Sequence, residues 1–408
     1  MEELIYDWNA AGGVERPGKV ELNDESLRDG LQSPSITNPP IEKKLVALHY
    51  MAELGIPAAD IGMPATSPQA KEETLQLAKE IVKARLNIRP NCAARTVIAD
   101  VEPVVEISQR AGIAVEASTF IGSSAIRKLA EGWDMEAMLR NTEEAVSFAV
   151  KNNLPVMYVT EDTTRAAPDV LKKLYTTALD NGAYRLCIAD TVGHCTPRGA
   201  RRLIEFIKKE VIKEREGVQI DWHGHNDRGL AVANSLAAFE AGADCVHATV
   251  LGIGERIGNT PLDILLVNLK LLGWIDNDLK RLPEYCQLIA EVTGAPFPFN
   301  YPAVGKDAFR TATGVHAAAV IKALRMKEDW LANLVYSSVP ADMLGRRQEI
   351  EIGPLSGRWN VVYWLESRGI EPEEGLIDKI LEQAKGAKRV LPEGEVKSIV
   401  ENWRGGKG

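Results

Sequence analysis

The sequence predicts an α/β chain in which a (β/α)8 TIM barrel is followed by a helical C-terminal appendage. Three observations lead there. Short β-branched, apolar runs alternate strictly with amphipathic segments, the alternation closes after eight repeats, and the extended runs stop beyond about Gly273. Parallel strands need a crossover between neighbours, so strict alternation argues for a parallel sheet, and eight units is the number that closes a barrel.

The first predicted strand is Val20–Arg28, closed by Asp29-Gly30. The others are Ala58–Met63, Ile88–Ala94, Ala114–Ile121, Val156–Thr160, Arg185–Ala189, Val218–Trp222 and Asp244–Leu251. Helical periodicity fills the gaps at Ile41–Leu54, Lys71–Ala84, Met135–Lys151, Ala167–Leu179, Arg198–Lys213 and Leu230–Ala241. Gly55, Gly112, Gly182 and Gly242 stand just before the next strand, as helix C-caps do. The barrel is assigned to residues 1–275 and the appendage to 276–408. Appendage helices are expected at Lys280–Thr293, Asp307–Leu324, Trp359–Ser367 and Gly375–Gln383, with fraying at Arg404–Gly408. An open doubly wound sheet would want a glycine fingerprint after its first strand, and Asp29-Gly-Leu-Gln32 is not one. Gly252-Ile-Gly-Glu-Arg-Ile-Gly258 comes close, but Ile257 takes the third glycine's place and the run follows strand eight.

Composition narrows the partners. A formal net charge of −9 with no basic block argues against nucleic acid or an anionic membrane, leaving small molecules. The five cysteines (Cys92, Cys187, Cys195, Cys245, Cys286) are scattered without a CxxC pair, which points to reduced thiols. Met1–Trp8 is acidic with no apolar core of a signal peptide, and no run approaches a membrane span. A cytoplasmic location is expected.

The chemistry centres on His223-Gly-His225 at the end of the seventh strand. Side chains alternate along a strand, so both imidazoles face the same way and Gly224 faces the other. Paired imidazoles with a nearby carboxylate suit a divalent metal; the plainer reading is a hydrogen-bonded pair. Catalytic groups of such barrels gather at the carboxyl ends of the strands. There strand one brings Arg28 and Asp29, strand five Glu161 and Asp162, strand six Asp190 and Thr191, and strand eight leads to Glu255, Arg256 and Asn259. Asp29 would complete a carboxylate–imidazole–imidazole set, unless it merely caps a helix. Arg28 would neutralise an oxyanion, unless it only forms a salt bridge at the barrel mouth. Non-haem iron oxygenases share this ligand set, but an eight-unit βα pattern sits badly with them.

Several motifs in order resemble the metal-dependent barrel acyltransferases and lyases, the DRE-TIM metallolyase family. They are Leu27-Arg-Asp-Gly-Leu-Gln32, Ala189-Asp-Thr-Val-Gly193, His223-Gly-His-Asn-Asp-Arg-Gly-Leu-Ala-Val-Ala-Asn234 and Gly252–Asn259. Gly314–Lys322, Leu344-Gly-Arg346 and Ser356-Gly-Arg358 resemble carboxy-terminal motifs of its isopropylmalate, homocitrate and citramalate synthases. The resemblance implies that Asp29, His223 and His225 bind Mg²⁺, Mn²⁺, Zn²⁺ or Co²⁺, with Asn259 as a weak or outlying ligand. It implies that Arg28 polarises a ketone and Thr191 holds the carboxylate of a 2-oxo acid. Glu161 and His316 would help remove a proton from the acetyl-CoA methyl, and Tyr336 would reach the site from the appendage. That appendage would cap the partner's barrel in a homodimer.

The departures are specific. Ser26 and Leu31 stand where the synthases more often carry threonine and an acidic or polar residue, and Asp60 replaces a more usual glutamate. Arg28-Asp-Gly-Leu-Gln32 is reminiscent of hydroxymethylglutaryl-CoA lyase, whereas the Gly254-Glu-Arg loop lacks that lyase's cysteine. No leucine-type regulatory domain is expected. Substrate choice is placed in Met63, Arg95, Ser118, Phe120, Ser123 and Arg127; Arg127 either holds an anionic tail or is a surface arginine of the fourth helix. The leading expectation is a Claisen-type condensation of acetyl-CoA with a 2-oxo acid to a 2-substituted malate and CoA. The alternatives are a lyase of the same family and a non-catalytic barrel that binds a metabolite.

Overall fold

A computed structural model describes residues 4–9 and 17–405. Met1–Glu3 of the acidic leader therefore lies outside the description, as do residues 406–408 of the segment expected to fray. The chain divides into two compact units, Met1–Asp278 with Glu284–Pro296, and Leu279–Pro283 with Phe297–Gly408.

The first unit is a closed barrel of eight parallel strands in sequential order. They are β1 (Glu21–Asp24), β2 (Ala58–Asp60), β3 (Arg89–Arg95), β4 (Glu116–Gly122), β5 (Val156–Glu161), β6 (Arg185–Asp190), β7 (Gln219–Gly224) and β8 (Cys245–Ala248). Closure is made by β1, which pairs with β2 through Asn23 and Ala58 and with β8 through Leu22 and Val246. The helices are α1 (Ile41–Glu53), α2 (Pro68–Lys83), α3 (Ile98–Ala111), α4 (Ala125–Glu131), α5 (Met135–Lys151), α6 (Pro168–Asp180), α7 (Pro197–Phe206), α8 (Ala231–Ala241), α9 (Leu262–Leu271) and α10 (Leu282–Thr293). A π-helical turn, Ile207–Ile212, prolongs α7. No helix among the described residues is long and apolar enough to cross a membrane.

The pattern did not single out α3 and α9, and each has a reason. Pro103 sits inside α3 and reads as a breaker, while α9 (LDILLVNLKL) is apolar on nearly every face and so shows no period. The first strand is shorter than expected. It ends at Asp24, after which the amides of Arg28 and Gly30 both donate to the Glu25 carbonyl, at 3.1 and 3.0 Å. Arg28 and Asp29 thus ride on a tight turn above the strand rather than on the strand itself. Likewise β8 stops at Ala248, where the chain enters a 3₁₀ turn at Val250–Gly252.

The second unit holds α11 (Gly314–Arg325), α12 (Asp329–Leu334), α13 (Arg358–Glu366), α14 (Glu374–Gly386) and α15 (Glu393–Gly405). A two-residue parallel pair, β9 (Arg310–Thr311) with β10 (Glu349–Ile350), stands beside them. The expected helix Asp307–Leu324 starts only at Gly314, because Arg310 is drawn into the short sheet and paired with Asp307 (2.6 Å) and Glu351 (2.7 Å). One apolar core joins α13, α14 and α15 through Val361, Leu365, Ile377, Ile380 and Val400. A smaller one joins α11 and α12 through Val320, Ile321 and Ala332. The pattern missed α12, which is short, and α15; α15 runs through Arg404 to Gly405.

Candidate metal centre and active site

Loops at the carboxyl ends of the barrel strands surround a cavity of about 320 Å³. Its lining includes Arg28, Asp29, Ser118, Arg127, Glu161, Thr191, His223 and His225. Strand geometry delivers the two imidazoles together, with ring centroids 5.1 Å apart. Asp29 Oδ2 lies 3.7 Å from Nε2 of His223 and 3.7 Å from Nε2 of His225. That separation is too long for a hydrogen bond and suits two ligand atoms of one ion. Asp29 Oδ2 and Asn259 Oδ1 are also buried without a hydrogen-bond partner. Buried polar atoms are costly to leave unpaired, and acceptor oxygens of this kind suit a cation.

Asp29 caps no helix: the 3₁₀ turn Gly30–Gln32 that follows it receives no side-chain bond from it. Asn259 bridges His225 through the backbone, and its amide nitrogen donates to the Ile253 carbonyl at 3.2 Å, which leaves the amide oxygen free. Burial, and then His223, push the His225 imidazole down to about 4, so it is neutral and keeps a lone pair for a ligand bond. Burial works against the charge on Asp29, but Arg28 and His223 outweigh it and hold the carboxyl below its usual range. The residues present fit a divalent cation.

Arg28 is both a bridge-former and a cavity residue. Its Nε donates to Asp60 at 2.6 Å, and its terminal nitrogens reach Asp29 at 2.8 Å and Glu25 at 3.3 Å. Burial pushes the Asp60 carboxyl up to about 6 even against that guanidinium. On the opposite wall burial raises the Glu161 pKa, with Arg127 as its nearest counter-charge at 3.5 Å. Arg127 occupies the first turn of α4, half-exposed, and is shared with Glu131 at 3.5 Å. Its Nε is buried with no partner. The Thr191 hydroxyl accepts from the Asp162 amide at 2.8 Å, which keeps its own proton available to an acceptor in the cavity.

The loops carrying these groups are locked by backbone conformations that few residues tolerate. Gly258 has φ +94°, and a Cβ there would lie 1.8 Å from the Gly252 carbonyl oxygen. Arg256 holds φ +55°, a strained value for a side chain of its size. Its guanidinium donates to Asp227 at 2.8 Å and to the Thr191 carbonyl at 2.6 Å, tying together the loops after β6, β7 and β8.

Other sequence-predicted residues fall elsewhere. Arg95 does not line this cavity: its guanidinium forks onto both oxygens of Asp100 at 2.8 Å and is largely exposed. It borders a neighbouring cavity of about 370 Å³ that shares Phe120, Arg127 and Glu161 with the first. Ser118 reaches the floor and donates to Asn91 at 3.3 Å. His316 and Tyr336 belong to the second unit, where their rings stack with centroids 4.1 Å apart. Glu25 and His247 escaped the sequence reading. Both line the same cavity, and Glu25 lies 2.8 Å from His223 Nδ1 and 2.9 Å from His247 Nδ1. The signal was a histidine in the middle of the buried β8 run Cys-Val-His-Ala, where a barrel strand ordinarily carries apolar side chains.

Comparison with known proteins agrees with this architecture. Residues 19–289 match the HMGL-like family model. The chain is a member of the HMGL-like family. It is 34% identical over 403 residues to a homocitrate synthase, AksA, of Methanopyrus kandleri, covering 97% of this chain and 96% of that one. It is 33% identical to a probable 2-isopropylmalate synthase of Ignicoccus hospitalis, covering 90% and 88%. Among solved structures, the HMG-CoA lyase of Bacillus subtilis superposes with a TM-score of 0.58 at 20% identity, over 69% of this chain and 96% of that one. This HMGL-like chain thus shares its barrel with the lyase, while its sequence likeness to the synthases continues through the second unit.

Proposed function

We propose that the protein condenses acetyl-CoA with a 2-oxo acid, in a divalent-metal-dependent Claisen-type reaction that yields a 2-substituted malate and CoA. The observation that carries this reading is extent. The synthase relatives align over 90–97% of the chain, second unit included, whereas the lyase superposes on 69% of it.

Asp29, His223 and His225 would hold the ion, with Asn259 nearby; when bound, it would make the ketone of the 2-oxo acid more electrophilic. Arg28 would face the ketone oxygen as negative charge develops there, already oriented by Asp60 and Asp29. The free hydroxyl proton of Thr191 would take the substrate's carboxylate. Glu161, its pKa raised by burial, would accept the proton from the acetyl methyl, because a base works best when its pKa approaches the working pH. His316 and Tyr336 would assist from the appendage of a partner subunit in a cytoplasmic homodimer. Arg127, with a buried and unpartnered Nε, would pair with the distal carboxylate of a dicarboxylic 2-oxo acid.

Release of free thiol from acetyl-CoA, measured against a panel of mono- and dicarboxylic 2-oxo acids with and without chelator, tests the reading. Metal-dependent thiol release with one of the acids supports it. Cleavage of a hydroxyacyl-CoA without such release makes the protein a lyase, and silence in both assays leaves a binding barrel.

A further inference from the structure

Beneath the metal triad the barrel interior holds a line of buried polar residues that the proposed chemistry does not use. Glu25 Oε2 lies 2.8 Å from Nδ1 of His223, and Oε1 lies 2.9 Å from Nδ1 of His247. His247 Nε2 lies 2.9 Å from Asp221, which accepts from Arg185 at 2.9 Å. Arg185 Nε in turn stands 3.4 Å from Glu116. Two sets along this line, Glu25–His223–His247 and Asp221–Cys245–His247, have the residue types of metal sites as well. Their spacing argues otherwise. At 2.8–2.9 Å an imidazole nitrogen and a carboxylate oxygen stand at direct-contact distance with no room for an ion between them, whereas in the triad above the separation opens to 3.7 Å.

We propose that Glu25 and His247 are positioning residues of the metal centre. Glu25 accepts from Nδ1 of His223, which fixes the tautomer whose Nε2 lone pair faces Asp29 and His225. His247 is flanked on both nitrogens by carboxylates, so it donates to each and anchors Glu25 from behind. Anchored in this way, Glu25 orients a ligand without becoming one. The line through Asp221 and Arg185 holds His247 in place from the base of the barrel.

The inference rests on the metal reading, and the test separates the two. Full-length protein is stripped with chelator and titrated with Mn²⁺, with the free ion followed by electron paramagnetic resonance and folding checked by circular dichroism. Asp29→Ala should lose binding; wild-type affinity in that variant overturns the metal site itself. Glu25→Gln should weaken Mn²⁺ about 10–100-fold, and His247→Gln about tenfold, at temperatures where each is folded. If Glu25→Gln does not fold, Glu25→Asp replaces it, keeping the charge but drawing it back by one methylene. A lower melting temperature with Mn²⁺ affinity within about twofold of wild type overturns the positioning role, since a merely structural residue behaves that way. Long-range ¹H–¹⁵N spectra of the wild-type chain give an independent reading. Above the pKa of His223, where the ring is neutral, a proton on Nδ1 supports the proposal, and a proton on Nε2 alone overturns it.

Discussion

The mouth and the base of the barrel are built from the same side chains, yet they do opposite things. At the mouth, Asp29 Oδ2 stands 3.7 Å from both His223 and His225 and has no hydrogen-bond partner. Toward the base, Asp221 closes to 2.9 Å on Arg185 below and on His247 above it. Both regions are buried, so burial alone does not mark a site. What differs is spacing: a pair at 2.9 Å spends its polarity on the fold, whereas one held open at 3.7 Å keeps it for a ligand.

Substitutions at the two ends should therefore separate activity from stability. The largest effect is expected at the mouth. Asp29→Ala should cut thiol release at least about 10⁴-fold while leaving the melting temperature within a few degrees, since this group serves an ion rather than the core. Full activity after metal removal and restoration would break the comparison from that side. At the base, Arg185→Met strands Asp221 and Glu116 in the interior and should cost about 3–5 kcal/mol in urea unfolding. A loss below about 1 kcal/mol would mean that the base is not built on paired charge.

Smaller effects sharpen the picture. Glu161 must be ionised to accept a proton, and its pKa is raised. The pH profile of kcat/KM should therefore fall on its acid side through an apparent pKa above the ordinary glutamate value, and Glu161→Gln should remove that limb along with most of the rate. An acid limb that survives in Glu161→Gln belongs to another group. Arg127→Met should raise KM about 10–100-fold for dicarboxylic 2-oxo acids and much less for monocarboxylic ones, the cost of one charge-assisted contact. Equal effects on both classes would assign Arg127 to the loop rather than to the substrate. Arg95→Ala should change kcat/KM by less than about threefold, because its guanidinium is committed to Asp100 outside the cavity.

Much of this molecule was legible before any coordinates. Eight βα repeats dictate a parallel barrel because period-two and period-3.6 patterns cannot be exchanged, and a closed barrel gathers its strand ends at one mouth. His223 and His225 had to face one way once they lay at a strand's end. Other features had no local signature: α9 is apolar all round, and Arg28 and Asp29 lie beyond a strand that stops at Asp24. Tertiary structure alone decided that Asp29 caps nothing, that Arg95 turns away to Asp100, and that Glu25 joins two imidazoles 198 and 222 positions further along the chain. The physical reason is one of range. Periodicity is written between neighbours and survives in the sequence, whereas the gap between a hydrogen bond and an open ligand pair is under 1 Å and is set by strands that meet only when the barrel closes.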